Sequence, residues 1–416
     1  KGGVDKQNGF YWDFGGNSCY AEIAKPSNAN AIGFLQLPTT TSSSSSDNKP
    51  SVILIHGFGC STVYWRETKN YLTNAGYTVH AIDLLGQGKS EKAQDVSYSI
   101  SLWAKMVDEY ARRYIKSDNA VLVGNSLGSL VCLSAATGDW YSDVGGGDNG
   151  SQKNPFLPSK TQGLCFYNCG IGLNSRNVLK TFPEGPLRSV LTVVFDIFDA
   201  LIFGNKLLLS YLVDNQVTKE TLRNALVGLY ACAEDPESRV DDELVDSFVD
   251  PVVNDSTENV VNVISQIYLN DAGKTPMEMH ELYLTKMTES NSDNNSDNSA
   301  ATTSPFSDLA KRISGDSSTA RKQQLPIHLI WGDKDGVTPL KGPVGDFYSE
   351  LATQSNDSSS SLVDVSMQVI RAGHIPFDER PECNEGLVTW LDKLGDPRMN
   401  KFQDETKAPS FPKWPF

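Results

Sequence analysis

Ser126 lies between two glycines in the segment GNSLG, residues 124–128. A strand-like apolar run precedes the segment and a helical pattern follows it, which is the context that a G-x-S-x-G motif requires. The glycines permit a turn that is too sharp for larger side chains. Such a turn lifts the Ser126 hydroxyl above the sheet and leaves the backbone N–H of Leu127 at a helix N-terminus, aimed at developing negative charge. The segment therefore predicts a nucleophilic serine and one oxyanion-binding N–H group.

The segment HGFG, residues 56–59, follows an apolar run and supplies the second element of the predicted site. Small residues at this point let the backbone approach a substrate carbonyl. We therefore predict that the backbone N–H of Phe58 is the second oxyanion donor and that Phe58 also contacts the substrate. His56 is interpreted as structural. The other histidines outside the site are interpreted in the same way: His80, His280 and His328.

A histidine and a carboxylate complete the predicted chemistry. His374, in the segment AGHIP, follows the last predicted strand and is the candidate base, which takes the Ser126 proton and returns it to a leaving alcohol. Asp333 and Asp335, in the segment WGDKD, follow another strand, and either carboxylate could orient the imidazole. The chain order of serine, aspartate and histidine is the order expected for a G-x-S-x-G site. These residue types predict acyl transfer through a covalent serine ester.

Alternating strands and helices must hold these residues in place. Strands are predicted at residues 52–55, 78–82, 120–123, 164–167, 327–331 and 363–370. Helices are predicted at residues 61–74, 100–115, 127–136 and 381–394. This alternation indicates parallel strands joined by crossover helices. Residues 10–24 are expected to form a pair of antiparallel edge strands.

The alternation breaks at residues 171–321, where apolar residues recur at helical spacing without clear strands. We expect a helical cap here, inserted between two sheet strands, with a Ser/Asn/Asp-rich tract that is disordered. The core then comprises residues 1–170 and residues 322–416, the second part including a C-terminal tail. Polar loops are predicted at residues 39–47, 142–154, 288–304 and 355–361.

The composition disfavours several classes of function. The 416 residues include 36 basic and 51 acidic side chains, and the net charge of −15 disfavours binding to nucleic acid. Seven cysteines without a CxxC pair indicate reduced core residues rather than disulfides or a metal site, and no cofactor is expected. The sequence contains no run of 18 apolar residues. A start at Lys1 instead of Met is compatible with removal of a targeting segment.

The motifs around Ser126 and His374 resemble those of the α/β-hydrolase superfamily. Members of this superfamily often carry a G-x-x-D pattern at the strand end that holds Gly332, and the resemblance selects Asp335 over Asp333 as the acid. It implies the α/β-hydrolase fold, in which helices flank a mostly parallel sheet and a helical cap is inserted between two sheet strands.

Three segments also resemble pheophytinases and related chlorophyll-dephytylating hydrolases. AIDLLGQGKS at residues 81–90 is similar to their A-I-D-x-L-G-x-G-x-S stretch, and AGHIPFDERPE at residues 372–382 is similar to their A-G-H-x-P-x-D-E-x-P-E segment. GNSLG resembles the start of their G-N-S-L-G-G motif, although Ser129 replaces its last glycine. His56 stands where these enzymes typically have proline. The resemblance covers the two sheet portions of the chain and does not extend through the insertion.

This second resemblance implies hydrolysis of the phytyl ester of pheophytin or chlorophyll, in a plastid, with peripheral contact to the thylakoid membrane. Such a substrate needs a wide apolar cavity, and candidate lining residues in the cap, which could equally form the cap's own core, are Phe195, Phe198 and Leu201. A general carboxylesterase or lipase and a slow, receptor-like hydrolase are the alternatives. The preferred pigment and the oligomeric state stay open.

Overall fold

The computed structural model describes residues 8–26, 49–115, 119–143, 154–174, 176–270, 272–289, 325–357 and 363–394. The predicted loop at residues 39–47, the predicted end of the cap at residue 321 and the C-terminal tail lie outside the described residues. Most of the predicted loops at residues 142–154 and 288–304 also lie outside them.

Eight strands form one sheet in the described part of the chain. They are β1 (Asn8–Phe14), β2 (Asn17–Ala24), β3 (Ser51–Ile55), β4 (Val79–Ile82), β5 (Ala120–Ser126), β6 (Thr161–Cys169), β7 (Leu325–Gly332) and β8 (Val363–Ile370). Their order across the sheet is β1-β2-β4-β3-β5-β6-β7-β8. The β1–β2 and β2–β4 pairs are antiparallel, and the other neighbouring pairs are parallel. The predicted mostly parallel sheet is confirmed.

The N-terminal hairpin differs from its prediction in one respect. Of the two hairpin strands, only β1 lies at an edge of the sheet, because β2 also pairs with β4, with Ala21 opposite Ile82. Cys19 and Ala21 of β2 are fully buried in the hydrophobic core. Burial of these side chains therefore makes β2 an interior strand.

The two faces of the sheet carry separate hydrophobic cores because side chains alternate along each strand. In β5, Ala120 and Leu122 belong to the core on one face. Val121 and Val123 belong to the core on the other face. The continuous apolar run in this strand thus reflects burial on both faces, as expected for a parallel strand covered by helices.

Helices cover both faces of the sheet. They are α1 (Arg66–Asn74), α2 (Ile100–Tyr114), α3 (Leu127–Thr137), α4 (Trp140–Asp143), α5 (Arg176–Leu179), α6 (Pro186–Ile202), α7 (Lys206–Gln216), α8 (Lys219–Leu229), α9 (Pro236–Arg239), α10 (Asp242–Val253), α11 (Thr257–Leu269), α12 (Pro276–Glu289), α13 (Pro343–Asp357), α14 (Pro376–Glu379) and α15 (Asn384–Leu394). Short 3₁₀ turns precede α1 and α15.

None of the predicted helices covers α13. Its buried apolar residues follow helical spacing and are Val344, Phe347, Tyr348, Leu351 and Ala352. The prediction places the start of the polar loop at residue 355, which is too early, because residues 355–357 form the last turn of α13. Apolar residues at helical spacing therefore extend this helix into the polar segment.

The described residues between β6 and β7 form helices α5 to α12 and no strand. This insertion contributes side chains to the hydrophobic cores on both faces of the sheet. Val263 and Ile267 of α11 belong to the core on one face, and Leu226 of α8 and Leu244 of α10 belong to the other. In the part of the chain that the structure describes, no helix combines the length and hydropathy needed to span a membrane.

A buried ion pair joins β2 to α1. The Lys69 ammonium lies 2.6 Å from a carboxylate oxygen of Glu22, and both side chains are almost fully buried. Glu22 also accepts hydrogen bonds from the hydroxyls of Thr62 and Tyr20. Burial alone would raise the pKa of Glu22, but the Lys69 charge and these hydrogen bonds hold that pKa below its usual value. The Glu22 carboxyl is therefore ionised at neutral pH.

We expect Lys69→Met to lower the free energy of unfolding by about 3–5 kcal/mol, because it leaves the Glu22 carboxylate buried without its counter-ion. Urea denaturation at pH 7 measures this change. Lys219→Met is the matched control, since Lys219 pairs with Asp246 on the exposed surface, and it should leave the free energy of unfolding nearly unchanged. Equal losses in the two variants would contradict a specific role for the buried pair.

Candidate active site

Ser126 ends β5 and adopts a backbone conformation that non-glycine residues rarely take. Its φ is 52° and its ψ is −120°. A Cβ at Gly128 would lie 2.2 Å from the carbonyl oxygen of Ile55, and a Cβ at Gly124 would lie 2.5 Å from the backbone of Gly128. Both glycines are therefore required for the close approach of β3, β5 and α3. The sharp turn predicted from the motif is present.

Asn125 ties this turn to its surroundings. Its side-chain oxygen accepts a 2.6 Å hydrogen bond from the Tyr64 hydroxyl. Its Nδ2 donates to the carbonyl oxygens of Tyr167, at 2.9 Å, and of His374, at 3.3 Å. The residue next to Ser126 thus fixes the backbone of the candidate base.

His374 and Asp335 form a buried hydrogen-bonded pair. Nδ1 of His374 lies 2.9 Å from Oδ2 of Asp335. Since an ionised carboxylate can only accept, Nδ1 carries the proton and Nε2 is left as an acceptor. Asp333 is exposed and its side chain lies near Lys334 instead. The structure therefore places Asp335, and not Asp333, against the imidazole.

Asp335 is held as a carboxylate by several donors. Besides His374, it accepts hydrogen bonds from the backbone N–H groups of Val337 and Thr338 and from the Thr338 hydroxyl. Burial opposes ionisation, but the hydrogen bonds and the His374 imidazole outweigh it and place the pKa of Asp335 below its usual value.

The Ser126 hydroxyl forms no hydrogen bond with any described residue, so the structure does not bring it into bonding contact with His374. In unliganded enzymes, catalytic hydrogen bonds are often long and tighten only when substrate binds. The separation of the two groups is therefore compatible with proton transfer in a substrate complex.

The predicted oxyanion groups flank Ser126. Leu127 is the first residue of α3, where backbone N–H groups have no partner within the helix. On the other side, a Cβ at Gly57 would lie 3.4 Å from the Ser126 Cβ, which places the HGFG loop against the serine. The Phe58 side chain is 42% exposed, so the loop beside Ser126 lies at the protein surface.

The loop after β4 supports the HGFG loop from behind. Oε1 of Gln87 accepts a 2.6 Å hydrogen bond from the backbone N–H of Gly59. The backbone N–H of Leu84 donates to Nε2 of His56 at 3.0 Å, and Nδ1 of His56 donates to the carbonyl oxygen of Gly57. Complete burial lowers the pKa of His56 to about 4, so the ring is neutral. These contacts fit the structural interpretation of His56.

Comparison with known proteins agrees with this architecture. Residues 50–137, from the start of β3 through α3, match a family model described as the alpha/beta hydrolase fold. Among solved structures, a haloalkane dehalogenase from Bradyrhizobium elkani superimposes with a TM-score of 0.52 at 15% identity, over 93% of this chain and 98% of that one. The chain has the alpha/beta-hydrolase fold. The predicted fold class is confirmed.

Curated relatives match only part of the alpha/beta-hydrolase core. "Probable lysophospholipase BODYGUARD 1" of Arabidopsis thaliana is 32% identical over 114 residues, which are 26% of this chain and 24% of that protein. "Protein ABHD8" of Homo sapiens is 35% identical over 86 residues, 20% of this chain and 19% of that protein. The chain thus spans about a quarter or less of each of these two relatives.

An aromatic contact links the HGFG loop to the insertion. The Phe58 ring lies edge-on to Tyr268 of α11, with ring centroids 5.9 Å apart. Tyr268 in turn stacks on Phe203, which follows α6, at 3.8 Å and an interplanar angle of 5°. Tyr268 has no sequence signal for a site residue, because its spacing in α11 is typical of a core position.

The substrate-lining role of the three α6 residues stays a prediction. Phe198 and Leu201 are 56% and 62% exposed, and Phe195 is half-buried. None of the ring contacts among the described residues joins Phe195 or Phe198 to Phe58. In the described part of the chain, Tyr268 contacts the Phe58 ring and Phe203 stacks on Tyr268.

Asn168 connects the loops that carry the acid and the base. Its φ of 46° is a left-handed conformation that asparagine tolerates. Nδ2 donates to the carbonyl oxygen of Gly373, and Oδ1 accepts from the backbone N–H of Gly332. No local sequence signal marks this residue, because both partners are distant in sequence.

The insertion packs directly on the His374 loop. The backbone N–H of His374 donates to the carbonyl oxygen of Leu229, the last residue of α8. The Tyr230 hydroxyl donates to Asp378 at 2.6 Å, and Asp378 also pairs with Arg66. The base is thus held by both the core and the insertion.

The remaining histidines have structural contacts. The rings of His80, His280 and His328 each hydrogen-bond a hydroxyl, and burial lowers the pKa of each to about 4. All seven cysteines are free thiols. In the described part of the chain, no cluster of three or more histidine, cysteine or acidic residues is arranged to hold a metal ion.

Proposed function

We propose that the protein is a serine hydrolase of carboxylic esters, with Ser126 as nucleophile, His374 as base and Asp335 as the acid that orients the imidazole. The observation that carries this proposal is the buried His374–Asp335 hydrogen bond, which leaves Nε2 as a proton acceptor on the loop that Asn125 ties to Ser126. The strained Ser126 backbone supports it, because such strain is concentrated at functional sites.

In the first half-reaction, Nε2 of His374 takes the Ser126 proton while the hydroxyl oxygen bonds to the ester carbonyl carbon. The backbone N–H groups of Phe58 and Leu127 stabilise the oxyanion of the tetrahedral intermediate. The C–O bond to the alcohol then breaks, and the alcohol leaves with the proton from His374. Asp335 stabilises the imidazolium through Nδ1.

In the second half-reaction, His374 takes a proton from water, and the resulting hydroxide equivalent attacks the acyl-serine. The same N–H groups hold the second oxyanion. Collapse of this intermediate breaks the bond to the Ser126 oxygen, which regains the proton from His374, and the carboxylic acid is released. This chain's own residues provide each proton transfer.

Two observations support a substrate with a long hydrocarbon group. The aromatic side chains of Phe58, Tyr268 and Phe203 form an apolar wall beside the HGFG loop. The Arabidopsis relative is named a probable lysophospholipase. A single-chain phospholipid ester is therefore the first candidate substrate. The resemblance of the motifs to pheophytinases favours the phytyl ester of pheophytin or chlorophyll as the second candidate, with a plastid location.

Purified protein should be incubated separately with p-nitrophenyl butyrate, lysophosphatidylcholine, pheophytin a and chlorophyll a. We expect turnover of the soluble ester and of one long-chain substrate. Release of fatty acid would identify the phospholipid as that substrate, and release of phytol would identify the pigment. Activity on the soluble ester alone indicates a general carboxylesterase. A single stoichiometric burst without further turnover supports a receptor-like hydrolase, and no reaction with any ester overturns the proposal.

Asn168→Ala is expected to lower kcat by about 10-fold to 100-fold with a smaller change in KM, because a small misplacement of catalytic groups is costly. The substitution removes the side chain that joins the Gly332 and Gly373 backbones. Steady-state kinetics with p-nitrophenyl butyrate measure the effect. Asn254→Ala, at the C-terminus of α10, is the control and should leave kcat unchanged. An unchanged kcat in a folded Asn168→Ala protein would contradict the positioning role.

A further inference from the structure

The outer face of α6 is apolar and exposed. Its residues are 55–64% exposed and are Leu187, Val190, Val193, Val194, Ile197, Phe198 and Leu201. At 100° per residue these positions fall within an arc of about 140° on one side of the helix. We call this set the α6 face. Contiguous exposed apolar surface of this kind marks an interaction site on a folded protein.

The opposite side of α6 faces the protein. Asp199 is the one fully buried residue of the helix and pairs with Arg176 at 2.7 Å. Arg176 also lies 3.3 Å from Asp196. These ion pairs fix the rotation of the helix, so that the α6 face cannot turn inward without breaking them.

The shape of the α6 face fits a lipid surface better than a second copy of the chain. A helix of 17 residues is about 25 Å long and about 10 Å wide, which gives a contact area of about 250 Å². A stable dimer needs about 800 Å² on each partner. A single amphipathic helix can, however, lie in the plane of a lipid interface with its apolar side immersed.

The end of α6 lies close to the candidate active site. Phe203, which directly follows α6 on the side away from the α6 face, stacks on Tyr268, and Tyr268 contacts Phe58 of the HGFG loop. Aromatic side chains therefore join the C-terminal end of α6 to the loop beside Ser126.

The charges around α6 favour a zwitterionic lipid surface over an anionic one. The only charged side chains on the helix are Arg188, Asp196 and Asp199, and the net charge of the whole chain is −15. Anionic headgroups would be repelled rather than attracted. Binding must therefore come from apolar burial.

We propose that the α6 face docks on a zwitterionic lipid surface and delivers a lipid-borne ester to Ser126. This inference rests on the proposed function for the delivery, but the docking itself does not depend on turnover. It assigns α6 an interfacial role that is distinct from lining the substrate cavity.

Flotation with extruded dioleoylphosphatidylcholine vesicles tests the docking. We expect the wild type and Ser126→Ala to float equally with the vesicles. Leu187→Gln/Ile197→Gln should reduce the bound fraction by about 10-fold or more, because two apolar side chains lose their burial. The matched control is Val253→Gln/Val369→Gln, at exposed apolar residues outside α6, which should change binding by less than about 2-fold.

Activity separates this inference from the proposed function. Leu187→Gln/Ile197→Gln should hydrolyse p-nitrophenyl butyrate at the wild-type rate and lose activity only on vesicle-borne ester. If the wild-type protein floats with the vesicles but hydrolyses no ester, the docking proposal is supported and the proposed function is overturned. A wild-type protein that does not float overturns the docking, and a dimer that the double variant dissociates would show that a second copy occupies the face.

Discussion

Ser126→Ala is expected to reduce kcat for p-nitrophenyl butyrate by about 10⁴-fold to 10⁶-fold, with residual rate from the oxyanion groups alone. The substitution removes the oxygen that forms the acyl-enzyme and leaves the other site residues in place. Alanine also accepts the left-handed φ of 52° no less well than serine, so the turn at the end of β5 should persist.

Steady-state kinetics measure this loss, and a fluorophosphonate probe reports the nucleophile directly. The wild type should take up one probe per chain at Ser126, and the Ser126→Ala variant none. Ser129→Ala is the matched control, since its hydroxyl donates to the carbonyl oxygen of Gly124 and also hydrogen-bonds the Cys169 thiol. It should keep turnover and lose about 1 kcal/mol of stability. Probe labelling at another serine, with activity retained in Ser126→Ala, would rule out the assignment.

The local part of the site can be predicted from the sequence because short-range sterics determine it. Gly124 and Gly128 flank Ser126 at positions where any side chain would clash with β3 or α3, so their spacing predicts the turn. The alternating strands and helices follow from apolar runs in the same direct way. Each of these signals lies within a few residues of the feature that it predicts.

The supporting contacts cannot be predicted in this way because their partners are far apart in the chain. Asn168 joins Gly332 and Gly373, and Tyr268 lies against Phe58. The sequence around a single asparagine or tyrosine does not show whether that residue lies in a loop, in the core or beside a functional site. Only the folded sheet brings these residues together.

The choice between Asp333 and Asp335 illustrates the limit. Both follow β7 and both are acidic, so the residues alone leave the acid open. The turn after β7 buries Asp335 against His374 and exposes Asp333. Backbone donors at Val337 and Thr338 form around the buried carboxylate, and they depend on the turn rather than on the residue type.

Asp335→Asn is expected to lower kcat by about 10⁴-fold. An amide at this position can donate to Nδ1 of His374, which favours the tautomer with the proton on Nε2. That tautomer cannot accept the Ser126 proton. The amide also cannot stabilise the imidazolium that forms in the transition state. Steady-state kinetics on p-nitrophenyl butyrate at pH 8 measure the loss.

Asp333→Asn is the matched control, with the same chemical change two residues away on an exposed side chain. It should leave kcat within about 2-fold of the wild type, in line with a surface substitution. If Asp333→Asn were instead the damaging variant, the acid would be misassigned.

The pH dependence of stability provides an independent check on Asp335. The pKa of Asp335 is lower in the folded protein than in the unfolded chain, where it is about 4. The pair with His374 therefore contributes its full stability at pH values above the unfolded pKa. This contribution is lost as the pH falls through the lower, folded pKa. Asp335→Asn should therefore lose more stability at pH 6 than at pH 3, measured by urea denaturation. Because this difference depends on ionisation of the carboxylate and not on turnover, a pH-independent loss would show that Asp335 acts through packing alone.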